Sequence, residues 1–131
     1  MLSASDQGSA AVLVLAVVVV AAGLAVVIGE VGIYLHANAR AATAADAASL
    51  AAAPVTFAPF GASGSPRDEA RRFARANGAT LVSCACRVDR SLAAREVEVQ
   101  VRVDVDLWGL GRRSLTATSR ARFDPSKLVL P

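Results

Sequence analysis

The sequence predicts an α+β fold, in which a long N-terminal transmembrane helix continues outside the membrane and precedes a short helix and a three-stranded antiparallel sheet. Residues 10–28 carry no charge, an alanine-rich segment follows them, and apolar and polar residues alternate in three later stretches. We divide the chain into a leader at 1–8, the transmembrane and extended helix at 9–53, a loop at 54–65, a small α+β domain at 66–123 and a tail at 124–131.

Charge divides the chain into two unequal parts. All 14 Lys and Arg residues lie at or after Arg40, and the only charged side chains before it are Asp6 and Glu30. This distribution is typical of a membrane anchor followed by a water-facing part. The formal net charge of +3 is too small to indicate nucleic-acid binding, so we do not expect nucleic acid among the partners.

Residues 10–28 predict the membrane anchor. Nineteen residues without a polar side chain make a helix about 28 Å long, which matches a hydrocarbon core of about 30 Å. A buried core helix is one alternative, but a domain this small could not cover so long a segment. A cleaved signal peptide is another, although it normally has a basic start and a shorter apolar segment. We therefore predict a single-pass cell-membrane protein that contacts the lipid bilayer.

The helical pattern continues beyond the apolar segment. Residues 37–53 are mostly alanine, the strongest helix former, and Pro54 is expected to end the helix. We predict one helix of about 65 Å over residues 9–53. Small residues in its second half would let another helix or a sheet approach closely, although composition alone explains them equally well. They are Ala37, Ala41, Ala45 and Ala48.

An uncharged loop and a second helix follow. Phe57 and Phe60 in the loop would pack against the domain. The helix begins with Ser65 as its N-cap and Pro66 at its first position. It ends at Asn77, before a glycine that can adopt the left-handed conformation of a C-terminal cap.

Alternation predicts three strands, at residues 80–88, 96–107 and 112–123. In the second, apolar residues from Val97 to Leu107 alternate with charged or polar ones. In the third, the inward residues would be Leu115, Ala117, Ala121 and Phe123. An antiparallel meander with one face covered by helix and one solvated face accounts for this pattern.

Few residues could support catalysis. His36 is the only histidine and has no Cys, Asp or Glu at ligand spacing. No nucleophile motif or phosphate-binding loop is present. Asp104 and Asp106 could bind a divalent ion, but a solvated sheet face explains the acidic residues of the second strand more simply. We therefore predict that the protein is not an enzyme and has no cofactor and no metal site.

Cys84 and Cys86 are the only cysteines. With one residue between them on a strand, they would share the apolar face with Val82 and Val88. Their Cα atoms would lie about 6.5 Å apart on a regular strand, so a disulfide, which prefers about 5.5 Å, needs a local distortion. Buried free thiols, an internal disulfide and an intermolecular disulfide all remain open.

Several segments resemble the TadE/TadG-like proteins of tight-adherence (Flp-type) pilus systems. They are Asp6-Gln-Gly-Ser-Ala-Ala-Val-Leu-Val-Leu-Ala and Arg40-Ala-Ala-Thr-Ala-Ala-Asp-Ala-Ala-Ser-Leu-Ala-Ala-Ala53, in which Ala-Ala-Asp-Ala-Ala is the most specific run. Ala76-Asn-Gly-Ala-Thr-Leu-Val-Ser-Cys84 and the valine strand resemble a small subgroup encoded beside pilus secretion genes. The resemblance implies a pilin-like fold, an extracytoplasmic C-terminal domain, and a pseudopilin-like or accessory role among pilins and other pilus-assembly proteins.

The resemblance also implies a candidate processing site. A prepilin peptidase would cut between Gly8 and Ser9, and the fifth residue of the product would be Leu13. Prepilins carry there a glutamate that pairs with a neighbouring subunit, so we expect an accessory rather than a major filament subunit. Charge bias alone favours the opposite orientation, with a cytoplasmic C-terminus, because Arg40 is the basic residue nearest the anchor.

Two other functions remain open from the sequence. One is a secreted small domain whose anchor is a cleaved signal peptide. The other is a competence-like pseudopilin that binds DNA through arginines of the small domain. These arginines are Arg71, Arg72, Arg75, Arg87, Arg112, Arg113, Arg120 and Arg122.

Overall fold

The structure is a computed structural model and describes residues 4–60 and 64–129. The helices are α1 (Ala4–Val55), α2 (Pro66–Ala76) and α3 (Ser126–Val129), and a short 3-10 turn occupies Ala58–Phe60. The strands are β1 (Thr80–Ala85), β2 (Arg95–Leu107) and β3 (Gly111–Phe123), and they form one antiparallel sheet in the order β1–β2–β3. The predicted α+β layout is confirmed.

The two halves of α1 lie in opposite environments. The helix begins at Ala4 rather than at residue 9, so residues 4–8 of the predicted leader are helical. Residues 8–29 are all exposed, and the helix is long and apolar enough to cross a membrane. The second half packs against the sheet and α2 through small side chains. Those that are buried are Ala37, Ala41, Ala44, Ala45, Ala48, Ala52 and Ala53.

The C-terminal end of α1 lies two residues beyond the predicted one. Pro54 occupies the last turn instead of ending the helix, which continues to Val55. The proline nitrogen cannot donate a helical hydrogen bond and its ring crowds the preceding turn, so the helix ends one residue later. Thr56 then closes the helix, because its backbone N–H and its hydroxyl both donate to the carbonyl oxygen of Ala53, at 3.3 and 2.6 Å.

The core lies between α1 and one face of the sheet. The alternating valines of β2 are at most 4% exposed and supply its centre: Val97, Val99, Val101 and Val103. The inward residues predicted on β3 pack against the same cluster. Burying each valine contributes about 1.5–3 kcal/mol. The alanines of α1 carry only a methyl group, so the helix backbone can lie close to the sheet.

The predicted caps of α2 are present. The side-chain oxygen of Ser65 accepts a hydrogen bond from the backbone N–H of Asp68 at 3.1 Å. The Ser65 hydroxyl also donates to the Asp68 carboxylate at 2.7 Å, which lowers the pKa of that carboxyl. Asn77 is the C-cap, and Gly78 follows with a φ of 73°, where an L side chain would be strained.

The loop that precedes the domain packs on it, and the tail that follows the domain makes hydrogen bonds of its own. In the loop after α1, the rings of Phe57 and Phe60 meet edge-on with centroids 5.4 Å apart. Phe60 lies 6.5 Å from Phe123, so the predicted packing of this loop on the domain is confirmed. In the predicted tail, the backbone N–H of Ser126 donates to the Asp124 carboxylate at 3.1 Å, and its hydroxyl donates there as well. The hydrogen bond from the Ser126 hydroxyl is the main cause that lowers the pKa of Asp124.

β1 differs from the predicted first strand in length and alternation. It ends at Ala85 rather than residue 88, and its pairing with β2 shifts register at Val82. On the two sides of this β-bulge, Leu81 and Cys84 both pack on the core, while Val82 is 43% exposed and Val88 53% exposed. The predicted common face of the cysteines with Val82 and Val88 is therefore wrong, because the bulge reverses the alternation and the strand ends before Val88.

Candidate functional site

The strand β2 lies along the second half of α1 and is fastened to it at both ends. From Glu30 to Thr56 the helix rises about 39 Å, and β2 spans about 40 Å from Arg95 to Leu107. We name the fastening at Glu30 the hairpin contact and the one at Thr56 the distal cluster. Because this part of α1 and β2 are about equally long, neither end of β2 extends far beyond the helix segment on which it packs.

The hairpin contact lies just past the apolar segment of α1. The backbone N–H of Gly109, in the β2–β3 turn, donates a hydrogen bond to Oε1 of Glu30. A Cβ placed at Gly109 would lie 3.4 Å from Oε2 of the same carboxylate, which therefore rests directly on the turn. A groove beside this contact is lined by Val27, Glu30, Val31, Tyr34, Leu107 and Leu110.

The distal cluster is organised by Arg95. Its guanidinium donates to the backbone carbonyl oxygens of Thr56 at 3.2 Å and Asp89 at 2.9 Å. It also donates to the carbonyl of Ser91 and lies 5.8 Å from the ring centroid of Phe57. The Ser91 hydroxyl donates to the Asp89 carboxylate at 2.6 Å, which lowers the pKa of Asp89. One cation thus joins the end of α1 to the β1–β2 connection.

The face of the sheet away from α1 carries cross-strand ion pairs. Arg120 of β3 lies 2.6 Å from Glu98 and 3.6 Å from Glu96, and Arg112 lies 3.0 Å from Asp106. Hydrogen bonding to the Glu98 and Asp106 carboxylates raises the pKa of Arg120 and of Arg112 respectively. All these side chains are exposed to solvent, so the predicted solvated face is confirmed.

Asp104 and Asp106, the candidate divalent-ion ligands, both have protein partners. Ser114 donates to the Asp104 carboxylate at 2.6 Å, and Arg102 lies 3.7 Å from it. The Asp106 carboxylate is ion-paired with Arg112. Within residues 4–60 and 64–129, no three or more metal-binding side chains come together. The acidic residues of β2 therefore take part in a polar network.

The arginines considered for DNA binding do not all present free charge. Within α2, Arg71 pairs with Asp68 at 2.9 Å, and Arg72 pairs with Glu69. Arg112 and Arg120 are engaged across the sheet. The positive charge available for a phosphate backbone is correspondingly smaller than the sequence count indicates.

The cysteine pair lies at the end of β1. The structure joins the sulfurs of Cys84 and Cys86, with Cα atoms 5.3 Å apart, within the range that disulfides adopt. Both side chains are half-buried against the core. Of the three states left open by the sequence, we retain the internal disulfide as our prediction.

The candidate processing site lies inside α1. Gly8 is helical, and a Cβ placed there would meet nothing within 4 Å. A peptidase would have to unwind the first turns of α1 to reach the peptide bond between Gly8 and Ser9. Cleavage there stays a prediction.

The two fastenings of the sheet were not predicted from sequence. Glu30 gave the only signal, since it is an isolated charge just past an apolar segment. Its partner, Gly109, is 79 residues away, and Arg95 lies between the first two predicted strands. Such contacts depend on how the sheet is placed along the helix, which no local pattern encodes.

A scan against protein-family models and searches of the curated proteins and the solved structures found no match to this chain. The resemblance to TadE/TadG-like proteins therefore rests on the sequence segments quoted above.

Proposed function

We propose that this chain is a membrane-anchored, pseudopilin-like accessory component of a tight-adherence type pilus or secretion apparatus. It acts by assembly and not by catalysis. The observation that carries the proposal is the helix α1, whose exposed apolar half continues without interruption into a half covered by the sheet. A bare apolar helix of this length is stable in lipid or against other helices. The resemblance of its flanking segments supplies the pilus context.

The proposed mode of action is presentation of a rigid domain beside the bilayer. Because β2 is fastened to α1 at both ends, the sheet moves with the helix, and its ion-paired outer face is directed away from the helix. Partners would be pilins or other assembly proteins. Leu13 is uncharged, so it can lie in the lipid without a neighbouring subunit to neutralise it. This favours a membrane-held accessory protein over a filament subunit.

The secreted-domain alternative agrees less well with the packing. Signal-peptide cleavage within residues 37–53 would remove alanines that cover the valine face of β2. The exposed valines would then favour aggregation or unfolding. Cleavage near the end of the apolar segment would spare them, and sequencing of the mature N-terminus distinguishes these cases.

Membrane topology tests the proposal. A reporter that is active only outside the cytoplasm, fused after Pro131, should be active, and the same reporter fused before Met1 should be inactive. Carbonate extraction of the membranes should leave the fusion protein in the pellet. A reporter active only in the cytoplasm that works after Pro131 would contradict the pilus proposal, because the domain would then lie on the wrong side of the membrane.

A further inference from the structure

The turn between β2 and β3 presents the most exposed large apolar side chain of the domain. Trp108 is 95% exposed, and Leu110 is 61% exposed two residues later. The chain from Leu107 to Gly111 makes this turn, and Gly111 has a φ of 69°, which fixes the tip in a tight reversal. A tryptophan held outward at a hairpin tip indicates a contact with something outside the domain.

The hairpin contact fixes the height of this turn along α1. Glu30, which accepts the hydrogen bond from Gly109, comes two residues after Ile28, the last residue of the apolar segment. Two residues correspond to about 3 Å of helix rise. The groove beside the contact reaches Val27, which is inside the apolar segment. The exposed turn is therefore level with the end of the segment that would lie in lipid.

The side chains at this level are those that favour a membrane–water interface. Tryptophan and tyrosine have amphipathic rings that concentrate at the headgroup level. Trp108 is on the turn, and Tyr34, 43% exposed, lines the adjoining groove. Arg113 follows the turn, and a basic side chain next to an apolar contact favours anionic headgroups.

We propose that the tip of the β2–β3 hairpin is a second membrane contact, in which Trp108 and Leu110 enter the headgroup–acyl boundary of the leaflet from which α1 emerges. The occupant is a lipid surface because the exposed apolar turn is continuous with the exposed apolar helix. Glu30 is the positioning residue, since it holds the turn backbone at this height. The inference rests on the membrane-spanning part of the proposed function and not on its pilus role or orientation.

Trp108 is the only tryptophan in the chain, so its fluorescence reports the turn without a label. The full-length protein is reconstituted in phosphatidylcholine vesicles brominated either at upper acyl positions or near the chain ends. We expect the emission of Trp108 to be blue-shifted from its position in water. Upper-chain bromines should quench it at least about twice as strongly as terminal ones, as for an interfacial ring.

A matched variant moves the reporter to the other end of the domain. The double variant Trp108→Phe with Leu92→Trp places the only tryptophan in the β1–β2 connection, about 40 Å away along β2. Its emission should be that of tryptophan in water, with little quenching by either lipid. Resistance to carbonate extraction is measured on the same vesicles to establish that α1 is inserted.

Each outcome decides the inference. Carbonate-resistant protein whose Trp108 is as water-exposed as the distal reporter would overturn the lipid contact and leave the turn for a protein partner. Stronger quenching by the terminal bromines would overturn its placement at the boundary. Extraction of the protein by carbonate would overturn the membrane anchor of the proposed function, and the lipid contact of the turn with it.

Discussion

Val101 and Arg102 are neighbours in β2 with opposite environments. Val101 is 0% exposed and pairs with Leu81 on one side and Ala117 on the other. The side chain of Arg102 is directed to the other face, where it lies 3.7 Å from Asp104. Because side chains alternate along a strand, one step in sequence changes a core position into a solvent position.

Substitution by aspartate at these two positions tests the assignment of faces. Val101→Asp should lower the free energy of unfolding by several kcal/mol, about 3 or more, because it buries a charge without a partner. Arg102→Asp should cost less than about 1 kcal/mol. Both variants are measured by thermal unfolding of the full chain in one detergent. Equal losses for the two would show that the faces are assigned wrongly.

The alanines of α1 provide a second matched pair. Ala44 is fully buried in the core, and Ala42 is exposed on the same helix. Ala44→Leu should destabilise the domain by about 1–3 kcal/mol, because the added atoms overfill a closely packed core. Ala42→Leu should change stability by less than about 0.5 kcal/mol. Chemical denaturation of both proteins checks this, and an unaffected Ala44→Leu would mean that this face of α1 is not packed against the domain.

At the scale of elements, the hairpin contact holds the turn to α1 through a single carboxylate. Glu30→Ala removes the acceptor of the Gly109 amide, and Glu30→Gln retains an oxygen at that place. Amide exchange of the turn, followed by mass spectrometry of its peptides, should be about tenfold faster in Glu30→Ala, as expected for loss of one such bond. Exchange in Glu30→Gln should stay closer to that of the parent protein. Unchanged exchange in both variants would exclude the contact.

The end of β1 supports a prediction about the cysteines. The closeness of Cys84 and Cys86 predicts an internal disulfide in the extracytoplasmic location that we propose for the domain. The intact mass without reductant should be lower by two hydrogens, and the protein should migrate as a monomer on a non-reducing gel. A reductant-sensitive dimer would instead support the intermolecular disulfide, and an unchanged mass would support free thiols.

At the scale of the whole molecule, the prediction from sequence was accurate where a pattern repeats. The valine alternation of β2 predicted which residues are buried, and the uncharged segment predicted the exposed half of α1. The bulge at Val82 was missed, because a one-residue insertion leaves no mark in a short apolar strand. The Ala-Ala-Asp-Ala-Ala run takes on a packing role, with Ala44, Ala45 and Ala48 buried and Asp46 exposed.

Processing at Gly8 is tested on the mature protein. Co-expression with a working prepilin peptidase should give a product that begins at Ser9, as read by mass spectrometry. Gly8→Leu should block the cut, because a peptidase that selects a small residue before the bond would exclude it. A product that still begins at Met1 would rule out processing. Recovery as the dominant protein of sheared pili would contradict the accessory role.

If the apolar segment spans a bilayer as we propose, the unbroken helix α1 would make the domain follow every change in the orientation of that segment. Membrane helices tilt by about 20° on average. Over an arm of about 39 Å from Glu30 to Thr56, that tilt displaces the distal end sideways by about 13 Å. The β2–β3 hairpin lies on one side of α1, so its contact with the bilayer would oppose tilting of the helix toward that side. A change in bilayer thickness that alters the tilt would therefore displace the distal end of the domain mainly in the opposite direction.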